Sequence, residues 1–206
     1  KMAEVKTLRV GNLTVRNRTV FASSVGVFAA DGRQIRGVLG RDVIADSLVY
    51  GFDRDAGMGY LATRKGFTPP AGAIAIGYDT MPPHLESDIQ PASRRMVSAQ
   101  INGHKYDVHV DLGGVPSQLR QEKWNEAGLS AVPAQVQVID EYGTHRVVQA
   151  AGVAGPISVG ALQIPAGQQL IAFGDRRWEE LSISGVLGLD AFRSFAVYAD
   201  WDKEKF

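Results

Sequence analysis

The sequence predicts a mostly β protein built from two related lobes, the first of them incomplete at its N-terminal end. Three observations carry this prediction: a motif that recurs late in the chain, a proline- and glycine-rich stretch between its two copies, and many short apolar segments bounded by turn residues. At 206 residues, with 45% hydrophobic and 21% charged residues, the chain suits one or two domains that bury a sizeable core.

The repeat is the strongest internal signal. The sequence GVLGRD at positions 37–42 recurs 148 positions later (185 minus 37) as GVLGLD at positions 185–190. A Val-Gly-x-Leu element precedes each copy, beginning at Val10 and Val159, and an apolar segment ending in an acid follows each, residues 48–53 and 195–200. Order, spacing and content all repeat, which indicates two copies of one structural unit.

The boundary between the units is predicted at residues 68–93. This stretch is rich in proline, which cannot donate to a sheet ladder, and in glycine, which interrupts helices. The predicted organisation is therefore the C-terminal half of a first lobe over residues 1–67, a linker over 68–93 and a complete second lobe over 94–206. We expect one strand inside the linker, at residues 73–76.

Most remaining segments are β-branched or alternate apolar with polar residues, which is typical of strands. The predicted strands are residues 6–10, 14–21, 95–101, 106–111, 134–139, 144–149 and 170–173. Asn102-Gly103 predicts a two-residue hairpin turn. A helix is expected over residues 117–127, with Ser117 as N-cap and Gly128 just past its end, and short helices at 41–45 and 190–193.

Composition excludes several classes of function. Lys and Arg together number 22, as do Asp and Glu, and no basic run interleaves with aromatic residues, so nucleic acid is not an expected partner. The lack of a long apolar stretch predicts a soluble chain with no membrane partner. The compartment stays open, with a bacterial periplasmic or secreted location as one alternative after loss of a leader. The absence of cysteine and the spacing of the four histidines predict no metal and no cofactor.

The segment VHVDLGGVPSQL at positions 108–119 carries an aspartate from an apolar strand into a glycine-rich turn. It resembles the active-site turn of aspartic peptidases of the pepsin and retropepsin superfamily, D-[TS]-G-[AGS]-x-x-S-x-[ILV]. That family also carries, late in each lobe, an apolar-apolar-Gly element that packs beside the turn. The positions that match are Asp111, Gly113, Gly114, Ser117 and Leu119 in the turn, and Val186, Leu187 and Gly188 in the later element.

The resemblance implies closed β-barrel lobes of the acid-protease type and an endopeptidase acting on a polypeptide substrate. Two carboxylates about 3 Å apart cannot both ionise readily, so they share a proton and titrate as a pair. One then acts as base and the other as acid toward a water that attacks the peptide carbonyl. Asp111 takes the place of one catalytic aspartate, and the sequence contains no candidate for the other.

Two further features come with the resemblance. A flap is implied over the cleft, and residues 135–149 predict it as a hairpin with Tyr142 and Gly143 at its tip. The family's Thr or Ser after the aspartate ties the two active-site turns together, whereas Leu112 has no hydroxyl. Leu112 therefore favours an alternative function, a catalytically degenerate protease-like module that binds a peptide or assembles with a partner.

The first lobe's own aspartate turn is expected upstream of Lys1. Asp111 precedes Gly188 by 77 residues (188 minus 111), and the same distance before Gly40 falls ahead of the first residue. Three explanations follow: truncation, processing of a precursor, or pairing with a second copy of the chain as a homodimer. We favour the first two, because residues 1–67 form a half-lobe whose core face needs strands of its own. Whether the chain acts alone stays open.

Overall fold

The computed structural model describes residues 2–11, 13–21, 27–28, 34–35, 48–81, 94–113, 116–139, 145–173 and 183–200. These ranges are mostly β, as the sequence predicts. The strands are β1 (Met2–Val10), β2 (Leu13–Phe21), β3 (Val27–Phe28), β4 (Gln34–Ile35), β5 (Leu48–Asp53), β6 (Met58–Thr63), β7 (Asp79–Met81), β8 (Arg94–Ile101), β9 (His104–Asp111), β10 (Gln118–Arg120), β11 (Ala131–Ile139), β12 (His145–Gly152), β13 (Ile157–Val159), β14 (Leu162–Ile164), β15 (Gln169–Phe173), β16 (Gly185–Gly188) and β17 (Ala196–Ala199). Three 3-10 helices, within the same ranges, are Arg64–Gly66, Gln121–Lys123 and Leu189–Phe192.

One large sheet of ten strands contains β7 to β16. Its strand order is β11-β12-β15-β10-β16-β9-β8-β13-β14, and β7 adds to β8. The pairs β9–β16 and β10–β15 are parallel, whereas the other pairs are antiparallel. The hydrophobic core lies on this sheet and includes Val108, Val110, Leu119, Ile157, Leu187 and Phe192.

The hairpin turn at Asn102-Gly103 is confirmed. Strand β8 pairs antiparallel with β9, and Ile101 lies opposite His104. Both turn residues have positive φ, 48° at Asn102 and 87° at Gly103, which Asn and Gly tolerate better than other residues. This turn fixes the register of β9 and therefore which residue ends that strand.

The predicted helix over residues 117–127 is wrong. Strand β10 lies between two neighbours, with Gln118 opposite Ile171 on β15 and opposite Val186 on β16, so its backbone groups serve the sheet. Only the C-terminal part turns, through the 3-10 helix Gln121–Lys123 and the turn that follows it. Gly128 (φ 63°) ends this turn, as predicted for a residue just past a helical segment.

The strand expected at residues 73–76 is also wrong. The Ala73 N–H donates to the Pro70 carbonyl in a turn (3.1 Å), and residues 73–76 pair with no strand among the described residues. The strand in the expected linker is instead β7, which joins the large sheet by pairing with β8. The domain boundaries remain predictions.

The other strand predictions that fall on described residues are confirmed within a few residues at each end. Short strands with no sequence prediction of their own are β3, β4, β6, β7, β10, β13, β14 and β16. The predicted helix at 190–193 is present as the 3-10 helix Leu189–Phe192. The first copy of the repeat, positions 37–42, and the helix expected at 41–45 lie outside the described residues.

A second sheet, with strand order β17-β5-β6, joins residues 48–63 to residues 196–199. Strands β5 and β17 are the segments that follow the two copies of the repeat, and they pair antiparallel. By the 148-residue offset of the repeat, Tyr50 corresponds to Tyr198 and Gly51 to Ala199 (50 plus 148 is 198, and 51 plus 148 is 199). In the sheet Tyr50 lies opposite Ala199 and Gly51 lies opposite Tyr198. An antiparallel pair centred on equivalent residues has a local two-fold axis, which here passes between the pairs Tyr50–Ala199 and Gly51–Tyr198.

Among the described residues there is no helix with the length and apolar character needed to span a bilayer.

Candidate active site

Strand β9 delivers Asp111 to the edge of the core. Its side chains alternate, so that Tyr106, Val108 and Val110 are buried at 1–3% exposure. Strand β16 runs parallel to β9, and its last residue, Gly188, lies opposite Asp111. The structure therefore brings the aspartate turn and the apolar-apolar-Gly element together, although they are 77 residues apart in the sequence (188 minus 111).

The Asp111 carboxylate is held by its own turn. The Gly113 N–H donates to Asp111 Oδ1 at 3.0 Å. A Cβ at position 113 would lie 3.5 Å from that oxygen, so a larger residue would crowd the carboxylate only slightly. Within the described part of the chain, Asp111 Oδ2 accepts no hydrogen bond, and the side chain is partly exposed. One carboxylate oxygen is thus fixed and the other is open to a water or a second acid.

Ser117 connects the far side of this turn to the end of β16. Its backbone N–H donates to Asp190 Oδ2 at 3.0 Å, and its hydroxyl donates to Asp190 Oδ1 at 2.7 Å. The Gly188 N–H in turn donates to Ser117 Oγ at 3.0 Å. Ser117 is buried, with 1% of its surface exposed. All the polar groups of the serine hydroxyl and amide are therefore satisfied within the protein.

Sequence reasoning missed the part played by Asp190. It predicted a helix-starting residue, and Asp190 does lie in the first turn of the 3-10 helix Leu189–Phe192. Its carboxylate, however, faces Ser117 across 73 residues of sequence rather than capping its own helix. The signal was the second copy of the repeat itself, in which an acid follows the glycine by two positions.

Leu112 points toward the core. It is partly buried and packs against the central hydrophobic cluster. The position that carries a hydroxyl in the family motif therefore makes an apolar contact in this chain. This arrangement stabilises the turn by burial, and it offers no hydrogen bond to a second turn.

The predicted flap segment forms a hairpin. Strands β11 and β12 pair antiparallel from Gln135, opposite Gln149, to Ile139, opposite His145. The tip residues, Tyr142 and Gly143, lie outside the described residues, as does Gly114 in the aspartate turn. The flap role of this hairpin and the catalytic roles in the turn stay predictions.

A cavity of about 760 Å³ lies between residues 67–76 and the start of β17, and Asp111 is not among the residues that line it. Its wall is mostly apolar and includes the aromatic side chains of Phe67, Phe192, Phe195 and Tyr198. The described residues contain no group of three or more His, Asp or Glu side chains arranged to hold a metal ion.

Comparisons with known proteins add a distant likeness. The chain is similar to the crystal structure of a retropepsin-like aspartic protease from Rickettsia conorii, with 14% sequence identity and a TM-score of 0.37 over 61% of this chain and 91% of that one. No family model matches the sequence, and no curated protein matches it. A likeness at this identity and TM-score does not bear on activity, and the features that do are the contacts of Asp111 and its turn.

Proposed function

We propose that the chain supplies one catalytic half of an aspartic endopeptidase. The single observation that carries this proposal is the pairing of Asp111 with Gly188 at the end of the parallel strands β9 and β16. It sets a partly exposed carboxylate, with one oxygen bonded to the Gly113 N–H, at the end of a buried strand. Rigid placement of a carboxylate with a free oxygen is what an acid–base pair acting on water requires.

In the proposed reaction Asp111 acts with a second carboxylate. The two share one proton, because two negative charges at close range destabilise each other. The ionised member removes a proton from a bound water, which attacks the peptide carbonyl, and the protonated member donates to the departing amine. No covalent intermediate forms on the protein. The substrate is an extended polypeptide segment.

Asp111→Asn tests this proposal. We expect hydrolysis of an unfolded protein substrate in mildly acidic buffer to fall by at least about a hundredfold, since an amide can neither accept nor share the proton. The protein is expressed from its complete gene, so that whatever carries the second carboxylate is present. Asp107→Asn is the matched control, because Asp107 is exposed on the same strand. Hydrolysis that survives Asp111→Asn would refute the assignment.

The second carboxylate is proposed to come from the lobe that contains β5. If two copies of the chain met through Asp111 about a two-fold axis, equivalent strands of the two copies would face each other. The facing position for β17 is already taken by β5 of the same chain, its equivalent in the repeat. This pairing supports an arrangement within one protein over a homodimer.

Mixing distinguishes the two arrangements. Active protein and the Asp111→Asn variant are unfolded together in varying ratios, refolded and assayed. With a site formed inside each protein, activity is expected to fall in proportion to the fraction of variant. A site shared by two copies requires two intact chains, so activity would fall as the square of the active fraction, and that curve would contradict the proposal.

The alternative function is a non-catalytic module that binds an extended peptide, and one observation favours it. Leu112 packs against the core and presents no hydroxyl to tie Asp111 to a second turn. In such a module, Asp111→Asn would leave peptide binding unchanged, and the unsubstituted protein would show no hydrolysis.

A further inference from the structure

We propose that Ser117 and Asp190 form a positioning clamp, which holds the Asp111 turn against the end of β16. Its catalytic consequence rests on the proposed function, whereas its structural consequence does not. Neither residue reaches the reacting atoms through any contact described above, so both act through Gly188 and the turn. The clamp consists of three hydrogen bonds that link Ser117, Asp190 and Gly188.

The position of the clamp in the sheet explains its effect. Strand β16 lies between β9, which leads into the Asp111 turn, and β10, which leaves it. The ladder between β9 and β16 ends at the pair Asp111–Gly188, and the ladder between β10 and β16 begins at Gln118–Val186. Ser117 stands between these two ladders. Its hydroxyl accepts from Gly188, the residue that faces Asp111.

Ser117 is also fixed from its other side. Its carbonyl accepts a hydrogen bond from the Ile171 N–H at 3.0 Å, which ties it to β15. Ser117 therefore contacts elements on both sides of itself, and it cannot shift without breaking several bonds at once. Hydrogen bonds to a carboxylate are stronger than those between neutral groups, and the partners left behind in a buried site are costly to leave unpaired.

The clamp controls placement because the β9–β16 ladder is short. Only four residue pairs join the two strands, and Asp111–Gly188 is the last of them. Terminal pairs of a ladder open more readily than central ones. A link at that end from a buried side chain holds Asp111 in register, and acid–base catalysis is sensitive to displacements of about 1 Å.

Ser117→Ala is the first test, with hydrogen exchange as its readout. The variant removes the acceptor of the Gly188 N–H, and exchange of that amide is expected to accelerate by about tenfold. The proposal further requires the Gly113 amide, which donates to Asp111, to exchange faster. Ser158→Ala is the matched control, since among the described residues the hydroxyl of the partly exposed Ser158 donates to Gln163 Oε1 on the neighbouring strand β14, away from the Asp111 turn.

Three further measurements make the test decisive. Ser117→Thr keeps the hydroxyl and is expected to restore the exchange rates. Asp190→Asn keeps the shape of the side chain and loses one hydrogen-bond acceptor. It is expected to change the exchange rates in the same direction as Ser117→Ala, but less. If the Ser117→Ala protein does not fold, Asp190→Asn takes its place in the test. In the active protein, Ser117→Ala should lower kcat by about tenfold or more and leave KM within about twofold.

The outcomes separate the two proposals. If Gly188 exchange changes while Gly113 exchange does not, Ser117 is a structural residue only and the clamp proposal is overturned. If the exchange results are as expected while Asp111→Asn still hydrolyses the substrate, the clamp stands as a device that positions the turn, and the proposed peptidase function fails instead.

Discussion

At the scale of single residues, Tyr106 lies on the same strand as Asp111 and has an unusual environment. Its side chain is 3% exposed, and its hydroxyl has no hydrogen-bond partner among the described residues. Burial, with a further contribution from the Glu126 carboxylate, raises the pKa of Tyr106 above its ordinary value of 10.0. A buried hydroxyl without a partner destabilises the folded state by the cost of its lost hydration.

Tyr106→Phe is therefore expected to increase the free energy of unfolding by about 1 kcal/mol at neutral pH, because it removes the unpaired hydroxyl. The raised pKa also predicts a pH dependence. As the pH rises above 10.0, the unfolded chain releases the Tyr106 proton while the folded state still keeps it. The stability that depends on protonated Tyr106 is therefore complete below pH 10 and is lost as the pH rises through the folded pKa. Urea unfolding of both proteins at neutral and alkaline pH measures the two effects.

The control for this prediction is Tyr60→Phe, which makes the same change at a partly exposed tyrosine on β6. A Tyr106→Phe protein that is less stable at neutral pH would show that the hydroxyl does have a partner. If the free energy of unfolding fell equally at alkaline pH in the Tyr106→Phe variant and the unsubstituted protein, Tyr106 would not be the cause of that fall.

How far residues could be assigned from sequence depended on how local their interactions are. Asn102 and Gly103 were predicted correctly because positive φ is a property of those residue types in a two-residue turn. The role of Asp190 was not predicted, because it depends on a hydrogen bond from Ser117 that forms only in the folded chain. Asp111 was found through a motif, and its geometry beside Gly188 came from the parallel pairing of two distant strands.

At the scale of elements, Gly185 shows how tightly β16 is packed between its neighbours. A Cβ at this position would overlap the Gln118 carbonyl oxygen and lie 3.2 Å from Leu119 Cα. Because these are backbone atoms, they cannot move aside without displacing β10. The glycine is therefore required by the close approach of β10 and β16, the strands that carry Ser117 and Gly188 at their ends.

We expect Gly185→Ala to lower the free energy of unfolding by about 1–3 kcal/mol, the range found for overpacked interiors. Gly77→Ala is the matched control, since a Cβ at Gly77 meets no atom within 4 Å. Urea midpoints of the two variants give the comparison. If both variants were equally stable, β10 and β16 would have to lie farther apart than the structure shows.

The elements that sequence reasoning missed are short strands set by their neighbours. Strand β10 has three residues, and no periodicity can be read from three residues. Its strand character comes from β15 and β16 on either side, while the sequence from Ser117 onward carries an N-cap residue and helix-forming side chains. The long strands β8, β9, β11 and β12 were predicted because alternation or β-branching extends over enough positions to be distinctive.

At the scale of the whole molecule, the sheet β17-β5-β6 joins residues from before and after the proline-rich stretch. Its connection is reinforced by an ion pair, in which Arg64 Nε donates to Asp200 Oδ1 at 2.8 Å, both side chains being less than one fifth exposed (19% and 13%). The Tyr198 ring lies 5.5 Å from that of Tyr60 and 5.3 Å from that of Phe67, centroid to centroid. These contacts hold the early and late parts of the chain together without a covalent cross-link.

The central pair of this sheet, Gly51 and Tyr198, provides the test of that architecture. With a protease site introduced between residues 81 and 94, we expect the cleaved parts to stay associated and elute as one species, because β5–β17 and β7–β8 both bridge the cut. Gly51→Ala should weaken the association by about tenfold or more, since a Cβ there would overlap the Val197 carbonyl oxygen and lie 2.7 Å from Tyr198 Cδ1.

Gly59→Ala makes the same change on the adjacent strand, where a Cβ meets no atom within 4 Å, and it should leave the association intact. Parts that separate even without a substitution would show that the pairing of β5 with β17 is too weak to unite the chain. In that case the local two-fold axis of the β5–β17 pair could not fix the placement of a second carboxylate, and a partner protein would have to supply it. Association that depends on Gly51 would support a site completed within one protein.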